Sequence, residues 1–320
     1  MRKILHIALF TFSVYLGLNA QQQNQYSQFM LNKYAFNPAF AGLDFSLSAN
    51  LMYRNQWDGL PSNPRDIHIN AHMPMYIWNG AVGGIIERQT YGVLRQTSIQ
   101  GSYNYITDTP YGLISVGGRL GLTQLSIDGS AIITPEGIYT GGFTHNDPIL
   151  IEGQDLGIGL KWDVGSFFYN KKMQIGIAIS HIPTTTVSLE KTSFSQTTHI
   201  NGFFQYNLYI NEEIELMQSI LLKSDLNKIQ SDISSLFKIN GNIFGGISLR
   251  GYSSRSLDAM VIIAGMKISD HYTLSYSYDI GLSGLRRGHE GTHEILLNYN
   301  LRKLIGTGQP PKIIYNPRYL

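Results

Sequence analysis

The stretch YTLSYSYDI, residues 272–280, decides the fold of this chain. Its large apolar and aromatic side chains occupy every second position, and Thr273, Ser275, Ser277 and Asp279 occupy the positions between them. A period of two residues places these two sets on opposite faces of an extended chain, whereas a helix requires a period of 3.6. The stretch therefore predicts a β-strand with one apolar face and one polar face.

The same alternation recurs along most of the chain outside residues 272–280. It is clear at Ile67, Ile69, Ala71 and Met73, which alternate with polar residues. The segments that share the pattern are residues 44–54, 65–73, 80–88, 92–106, 112–126, 155–166, 172–181, 196–208, 213–223, 227–239, 242–252, 257–267, 271–281 and 291–301. They predict an all-β protein, a transmembrane outer-membrane barrel of about 14 antiparallel strands, since bacterial barrels have an even strand number.

The connection lengths predict how such a barrel is oriented. The longest connections, residues 55–64, 127–154, 182–195 and 282–290, all follow odd-numbered strands. The others are short, such as the hairpin dipeptide Asn240-Gly241. With a periplasmic N-terminus, the long loops lie outside the cell and the short turns lie in the periplasm, as in known barrels. A soluble β-sandwich or propeller is the structural alternative, because alternation alone does not show whether the apolar face meets lipid or a second sheet.

The N-terminus and the composition predict the compartment. Arg2 and Lys3 precede an apolar stretch, residues 4–18, and Ala20 ends a segment typical of a cleaved signal peptide, which we place at residues 1–20. The chain has no cysteine, 14% charged residues and a net charge of +2. Such a charge provides no basic field for nucleic acid. We therefore expect an exported protein of the outer membrane, surrounded by lipid, with no nucleic-acid partner.

Two segments lie outside the predicted barrel, which spans residues 44–301. Residues 21–43 are polar and aromatic and are either a periplasmic lead-in or a plug and docking segment. Residues 302–320 form a C-terminal tail beyond the last strand, which is either a periplasmic contact or a disordered end. Both ends fall on the periplasmic side in the predicted orientation.

One motif has the spacing of a zinc-protease site. His289-Glu290-Gly291-Thr292-His293 matches H-E-x-x-H, which binds zinc only when a helix brings both histidines to one face. Here the glycines disfavour a helix and the motif runs into a predicted strand, in which the two histidines stand roughly 13 Å apart. His68 and His72 are similarly predicted on the polar face of one strand. We predict no catalytic residue, cofactor or metal site, and thus no enzyme.

The two ends of the barrel sequence resemble a known family. The run QYSQFMLNKYAFNPAFAG at residues 25–42, YRNQW at residues 53–57 and GTHEILLNY at residues 291–299 are similar to the PorP/SprF family of type IX secretion and gliding-motility outer-membrane proteins. The positions that match the family pattern are Gln28, Asn32, Asn37, Pro38, Ala39, Gly42, Tyr53, Arg54, Gln56, Trp57, His293 and Glu294. The family gives none of them a catalytic role, so packing and turn geometry are their expected tasks.

Barrel closure adds one expectation about this set. The first and last strands must adjoin, and they carry Arg54 and Glu294 respectively. We therefore predict that these two side chains pair.

The resemblance implies a non-enzymatic barrel that anchors or helps export a cell-surface adhesin. Its external face would bind the adhesin's C-terminal domain, with residues 127–154 and their Tyr139, Phe143 and His145 as the candidate partner loop. Its periplasmic side would contact components of the type IX secretion or motor machinery. The alternative is a general porin or small-solute transporter, which the barrel pattern alone would equally allow.

Overall fold

The structure is a computed structural model that describes residues 25–75, 78–140, 142–253 and 256–305. The predicted signal peptide at residues 1–20 and most of the predicted tail lie outside these residues.

Fourteen antiparallel strands close into a barrel, as the sequence predicts. The barrel strands are β1 (Ser48–Asn55), β2 (Arg65–Met75), β3 (Gly80–Tyr91), β4 (Leu94–Thr109), β5 (Gly112–Asp128), β6 (Gln154–Tyr169), β7 (Met173–Ser180), β10 (His199–Tyr209), β11 (Ile214–Ser224), β12 (Ile229–Ile239), β13 (Ile243–Ser253), β14 (Ser256–Lys267), β15 (Tyr272–Gly281) and β16 (Thr292–Asn300). A separate two-stranded hairpin consists of β8 (Thr185–Ser188) and β9 (Ser193–Gln196).

The barrel closes where its first and last strands pair. In the β1–β16 register, Ser48 lies opposite Asn300 and Arg54 lies opposite Glu294. Each barrel strand has a hydrogen-bonded neighbour on both sides. The backbone N–H and C=O groups are thus satisfied within the sheet, which is the condition for a β-structure to lie in lipid.

The two faces of each strand have different surroundings. In β1, Asn50 and Arg54 are buried, whereas Leu51 and Tyr53 are 45% and 40% exposed. Polar side chains therefore point into the lumen and apolar ones point outward, the arrangement of a transmembrane barrel.

The structure corrects two details of the strand prediction. β1 begins at Ser48 and not at residue 44, because Gly42 and Phe45 have φ angles of +72° and +58° and turn the chain from the lumen into the wall. The connection at residues 182–195 is not a plain loop, since it contains hairpin β8–β9, whose Val187 packs on Leu125 of β5. Strands of four residues are too short for alternation to separate them from loop.

The helical segments are short 3-10 turns, at Lys33–Ala35, Pro38–Phe40, Gly129–Ala131 and Gly284–Gly288. Among the described residues, no helix has the length and apolar character needed to cross a membrane.

The hydrophobic core lies inside the barrel, between residues 25–47, which we call the lumen plug, and inward-facing residues of the wall. Phe29, Met30 and Tyr34 are at most 1% exposed. Phe29 and Met30 pack with wall residues such as Phe203 and Leu221, whereas Tyr34 packs with Ala81. The sequence allowed two interpretations of this segment, a periplasmic lead-in and a plug. In the structure, residues 25–43 lie in the lumen.

Candidate functional site in the barrel lumen

The lumen plug extends along the height of the barrel. At the outer end, Gln25 donates from Nε2 to Oε1 of Gln230 at 3.1 Å, close to the start of β12. At the periplasmic end, the backbone N–H of Leu301 donates to the carbonyl of Leu47 at 2.9 Å. The chain therefore descends through the lumen before it enters the wall at β1.

The outer half of the plug binds a group of buried ions on six strands. We call this group the charge cluster, and it consists of Arg54, Lys223, Asp232, Arg250, Asp279 and Glu294. Each side chain is at most 5% exposed. Three cations face three anions, so the cluster is neutral as a whole, which is the condition for burying charges without a large desolvation penalty.

Arg54 and Glu294 pair across the closing seam, as predicted, with Nη1 of Arg54 2.9 Å from Oε2 of Glu294. Arg54 also binds Asp279 at 2.9 Å. Arg250 bridges Asp279 and Asp232 at 3.0 and 2.9 Å. The first strand, the last strand and three further strands, β12, β13 and β15, are thereby joined by one network of charged hydrogen bonds.

The plug completes this network through its own backbone. The N–H groups of Ser27 and Gln28 donate to the two carboxylate oxygens of Glu294, each at 2.9 Å. The hydroxyl of Ser27 donates to Asp279 at 2.6 Å. Hydrogen bonds to ionised acceptors are the strong class. The same carboxylates thus hold the wall together and hold the plug in place.

Amide side chains fix the middle and lower plug. Oδ1 of Asn32 accepts from Asn70 at 2.9 Å and from Asn50 at 3.4 Å. Asn37 donates from Nδ2 to the carbonyls of Ser166 and Ile177, at 3.0 and 3.1 Å, and its Oδ1 caps the turn Pro38–Phe40 by accepting from the N–H of Ala39. The matched residues Asn32 and Asn37 are therefore contact points between plug and wall.

Two glycines permit these close approaches. Gly42 has a φ of +72°, and a Cβ there would stand 2.4 Å from Cβ of Ala81. A Cβ on Gly165 would stand 2.2 Å from Oδ1 of Asn37. Gly165 was missed by the sequence reasoning, because nothing in its strand indicates that the plug passes there.

The other matched residues occupy three different places. The carbonyls of Ala39 and Ala41 in the plug both accept from Nδ2 of Asn104, at 3.1 and 2.9 Å. Tyr53 faces outward, and the N–H of Trp57 in the external loop donates to Thr292 at 3.1 Å. The remaining positions are Gln28 and Pro38 in the plug, Gln56 at the start of the same external loop, and His293 on the outer face of β16.

The histidine motif does not form a helix. His289 follows the turn Gly284–Gly288, Gly291 has a φ of +119°, and His293 lies in β16 beside the hydroxyl of Tyr276, 2.6 Å from its Nδ1. Within the described ranges, no group of three or more His, Cys, Asp or Glu side chains has the arrangement of a metal site.

His68 and His72 lie on the lumen face of β2, as predicted. Nδ1 of His68 is 3.4 Å from Glu87, and Nδ1 of His72 is 3.7 Å from Asp44. The N–H of Gly42 donates to Nδ1 of His72 at 3.1 Å. Both imidazoles thus serve the contact between wall and plug.

The candidate partner loop has its own interior. His145 is 1% exposed, its Nδ1 is 3.0 Å from the hydroxyl of Tyr139, and its Nε2 is 3.0 Å from the carbonyl of Gly129. Phe143 is 42% exposed. His145 therefore organises the loop from within, and Phe143 is the member of the predicted trio that offers a largely exposed side chain.

Two cavities of about 270 Å³ flank the plug. One lies at the outer end beneath hairpin β8–β9, and its lining includes Val187 and Phe194. The other opens at the periplasmic end and is lined by Lys238, Lys267 and Arg302 among others. The plug thus occupies the space that would be the channel of an open barrel.

The fold and the lumen define an outer-membrane β-barrel whose interior is filled by its own N-terminal segment. Sequence comparison identifies the family: the type IX secretion system membrane protein PorP/SprF pattern matches residues 18–299. The chain belongs to the PorP/SprF family. No curated protein matches it.

Several solved structures have a similar fold and are distant from this chain in sequence. The CymD monoaromatic hydrocarbon channel is 10% identical with a TM-score of 0.50, over 90% of this chain and 95% of that one. The toluene transporter TbuX of Ralstonia pickettii is 10% identical with a TM-score of 0.50, over 86% of this chain and 93% of that one. Omp33 of Acinetobacter baumannii is 5% identical with a TM-score of 0.47, over 80% of this chain and 97% of that one. At this identity the likeness concerns the barrel fold alone.

Proposed function

We propose that this protein is a non-enzymatic anchor of the type IX secretion pathway, which holds or helps export a cell-surface adhesin. The observation that carries the proposal is the plugged lumen in a member of the PorP/SprF family. A barrel whose channel is filled by buried, hydrogen-bonded side chains is suited to holding a partner at its surface. It is poorly suited to passing solutes, which requires a continuous water-filled path.

The plug is also an argument against the function of a general porin. Glu294 and Arg54 are at most 1% exposed and bind the plug or its neighbours directly. Displacing the plug would remove the Ser27 and Gln28 donors from Glu294 and the Ser27 hydroxyl from Arg54, which leaves buried charges with fewer hydrogen bonds and is unfavourable. The likeness to hydrocarbon and toluene channels does not oppose this argument, because it extends to the fold only.

The external face supplies the proposed adhesin contact. Residues 129–153 form a loop that is ordered by the His145 contacts and exposes Ile133 and Ile149, at 80% and 73%, beside Phe143. Exposed apolar groups on an organised loop are typical of protein interfaces. The proposed ligand is the C-terminal domain of the adhesin.

The periplasmic face supplies the proposed contact with the secretion or motor components. Short turns lie there, together with Arg302 and Lys303 at the start of the tail. A barrel held in lipid by its fourteen strands would give both contacts a fixed base.

A surface-display experiment tests the proposal. In a strain that lacks the gene, shaving of intact cells with protease followed by mass spectrometry should show loss of one large surface adhesin while other exported proteins remain. Full-length protein should restore it. A variant with residues 132–150 replaced by a Gly-Ser linker should insert into the membrane but fail to restore it, whereas the same linker at Asp225–Lys228, another outer connection, should restore it.

The opposite pattern would contradict the proposal. If the deletion strain keeps its surface proteins and instead loses uptake of small solutes, the protein acts as a porin. A variant that lacks residues 306–320 tests the periplasmic face separately from the external face. If this variant still displays the adhesin but no longer co-purifies with periplasmic components, the tail makes the periplasmic contact.

A further inference from the structure

The cavity at the outer end of the lumen has features that the anchoring role does not use. We call it the outer cavity. It lies between the plug, represented by Phe36, and the hairpin residues Val187 and Phe194. Its volume of about 270 Å³ is close to the lower limit of small-molecule sites, which is roughly 300 Å³.

One side of the outer cavity is apolar. Leu94 and Leu125 from the wall and Val187 and Phe194 from the hairpin form a single hydrophobic cluster around it. Val187 is 2% exposed. The hairpin thus contributes apolar side chains to the lining of the cavity, against which the apolar part of a ligand could pack.

The lining of the cavity also includes His181, a buried polar residue. It is 7% exposed, its ring lies against that of His199 and near the backbone of Thr197, and neither ring nitrogen has a hydrogen bond of standard geometry. Its φ angle is +60°, a backbone conformation that non-glycine residues rarely adopt. The backbone N–H of His181 donates to Asp163 at 3.2 Å, which holds the residue in this position.

The protonation of His181 defines what it can bind. Burial, and to a smaller extent the nearby Lys161 ammonium, lower the pKa of the imidazole to about 3. The ring is therefore neutral at physiological pH and carries one donor and one acceptor.

Two further residues that line the cavity each have a buried polar atom without a hydrogen bond. Oγ of Ser180 and Oε1 of Gln196 are buried and have no hydrogen-bond partner, although both residues line the cavity. A buried polar atom without a hydrogen bond is unfavourable, and a ligand that bonds with it relieves this cost. Together with His181 they provide donors and acceptors for a polar group placed inside the cavity.

The charges around the outer cavity are balanced. Arg119 binds Asp163 at 2.8 Å, and Lys161 lies 3.8 Å from Glu87. An ionised ligand would add an unpaired charge to this neutral, enclosed set and would be disfavoured. The cavity thus selects for an uncharged ligand.

We propose that the outer cavity is a binding site for a small neutral amphiphile. Its amide or hydroxyl head would bond with His181, Ser180 and Gln196, and its aliphatic or aromatic body would pack on Leu125, Val187 and Phe194. The proposal does not depend on adhesin anchoring, because it rests on the chemistry of the cavity alone.

The test uses the full chain, purified in detergent, with 3-phenylpropanamide as the probe and 3-phenylpropionate as its charged analogue. Calorimetry should show saturable binding of the amide and at least about tenfold weaker binding of the carboxylate, with empty micelles as the baseline. No saturable binding of the amide would mean that the cavity holds only water. Equal binding of the two probes would mean that it does not select for neutral ligands. Either result overturns the proposal.

Two variants locate the site. His181→Phe removes the unpaired donor and acceptor, and Leu94→Trp fills the apolar side, so each should weaken amide binding by about tenfold or more. His271→Phe, at an exposed periplasmic turn, is the matched control and should leave binding unchanged. Undiminished binding in a folded His181→Phe or Leu94→Trp protein would overturn the proposal. If neither variant folds, the comparison of the two probes on the unaltered protein still tests the proposal.

Discussion

Glu294 accepts hydrogen bonds from three donors: the N–H groups of Ser27 and Gln28 and the guanidinium of Arg54. From the sequence, this residue was a family match that we expected to pair with Arg54, and the contact with the plug was not predicted. Its position shows that a single carboxylate on the last strand contacts both the first strand and the plug. Its ionised state is therefore part of how the barrel closes.

Glu294→Gln should destabilise the barrel. The amide keeps the size of the side chain but offers one acceptor in place of two, and it leaves the charge cluster with an excess cation, a change expected to cost about 3 kcal/mol. The midpoint of urea unfolding in detergent, followed by the change in gel mobility on heating, should fall. Glu213→Gln, on an exposed periplasmic turn, is the control and should shift the midpoint little. Equal midpoints in the two variants would contradict the role assigned to Glu294.

Gly42→Ala should also destabilise the fold, by about 1–3 kcal/mol. The φ of +72° is strained for alanine, and the new Cβ would collide with Ala81. Gly101→Ala is the matched control, since a Cβ at Gly101 meets nothing within 4 Å and its φ is not positive. The midpoint of urea unfolding should therefore be lower for Gly42→Ala than for Gly101→Ala. If they do not, the plug can relax around residue 42.

At the scale of elements, the external loop at residues 129–153 behaves as a small folded unit, which begins with the 3-10 turn Gly129–Ala131 and contains a backbone pairing between Ile138 and Thr144. Tyr139, Phe143 and His145 stack edge to face within 5.1–5.9 Å of one another. Because His145 bonds to the carbonyls of both Gly129 and Ile151, it ties the two ends of the loop together. A single imidazole thus determines the shape of the proposed adhesin surface.

His145→Ala should open this loop without unfolding the barrel. Chymotrypsin, which cleaves after aromatic residues, should cut the variant at Tyr139 or Phe143 several-fold faster than the unaltered protein. The urea midpoint should change little, since the loop packs outside the barrel wall. Thr140→Ala, at an exposed position in the same loop, is the control. Equal cleavage rates in both variants would show that the His145 contacts do not order the loop.

At the scale of the whole molecule, the plug and the wall form one folded structure. The core residues of the plug and those of six or more strands belong to a common hydrophobic cluster, and the charge cluster lies directly against it. The lumen of this barrel is therefore the interior of a protein, with side chains packed as in a soluble core, and not a water-filled passage.

In planar bilayers, the purified full-length protein should show no long-lived open-pore conductance. Plug side chains such as Phe29 and Met30, which are at most 1% exposed, occupy the space through which ions would pass. A general porin measured under the same conditions is the positive control. Stable conductance steps of the size that the porin shows would contradict both the packed lumen and the anchoring role.

Much of the fold could be predicted from the sequence because the relevant signal is local. The alternation at residues 272–280 predicts β15, and the structure confirms its face assignment, with Ser275 and Ser277 inside and Tyr276 outside. The strand number and the pairing of Arg54 with Glu294 also followed, since closure requires the first and last strands to meet. Hairpin β8–β9 could not be predicted, because its strands are too short for periodicity.

The sequence by itself determined the class of protein, the strand positions and the family, since side-chain alternation and short motifs are written in consecutive residues. Only the tertiary structure decided where residues 25–47 lie, why Gly165 must lack a side chain, and that His145 faces inward and not toward a partner. It also placed His181, Ser180 and Gln196 around one cavity. Each of these facts depends on contacts between residues far apart in the chain, and no local pattern records such contacts.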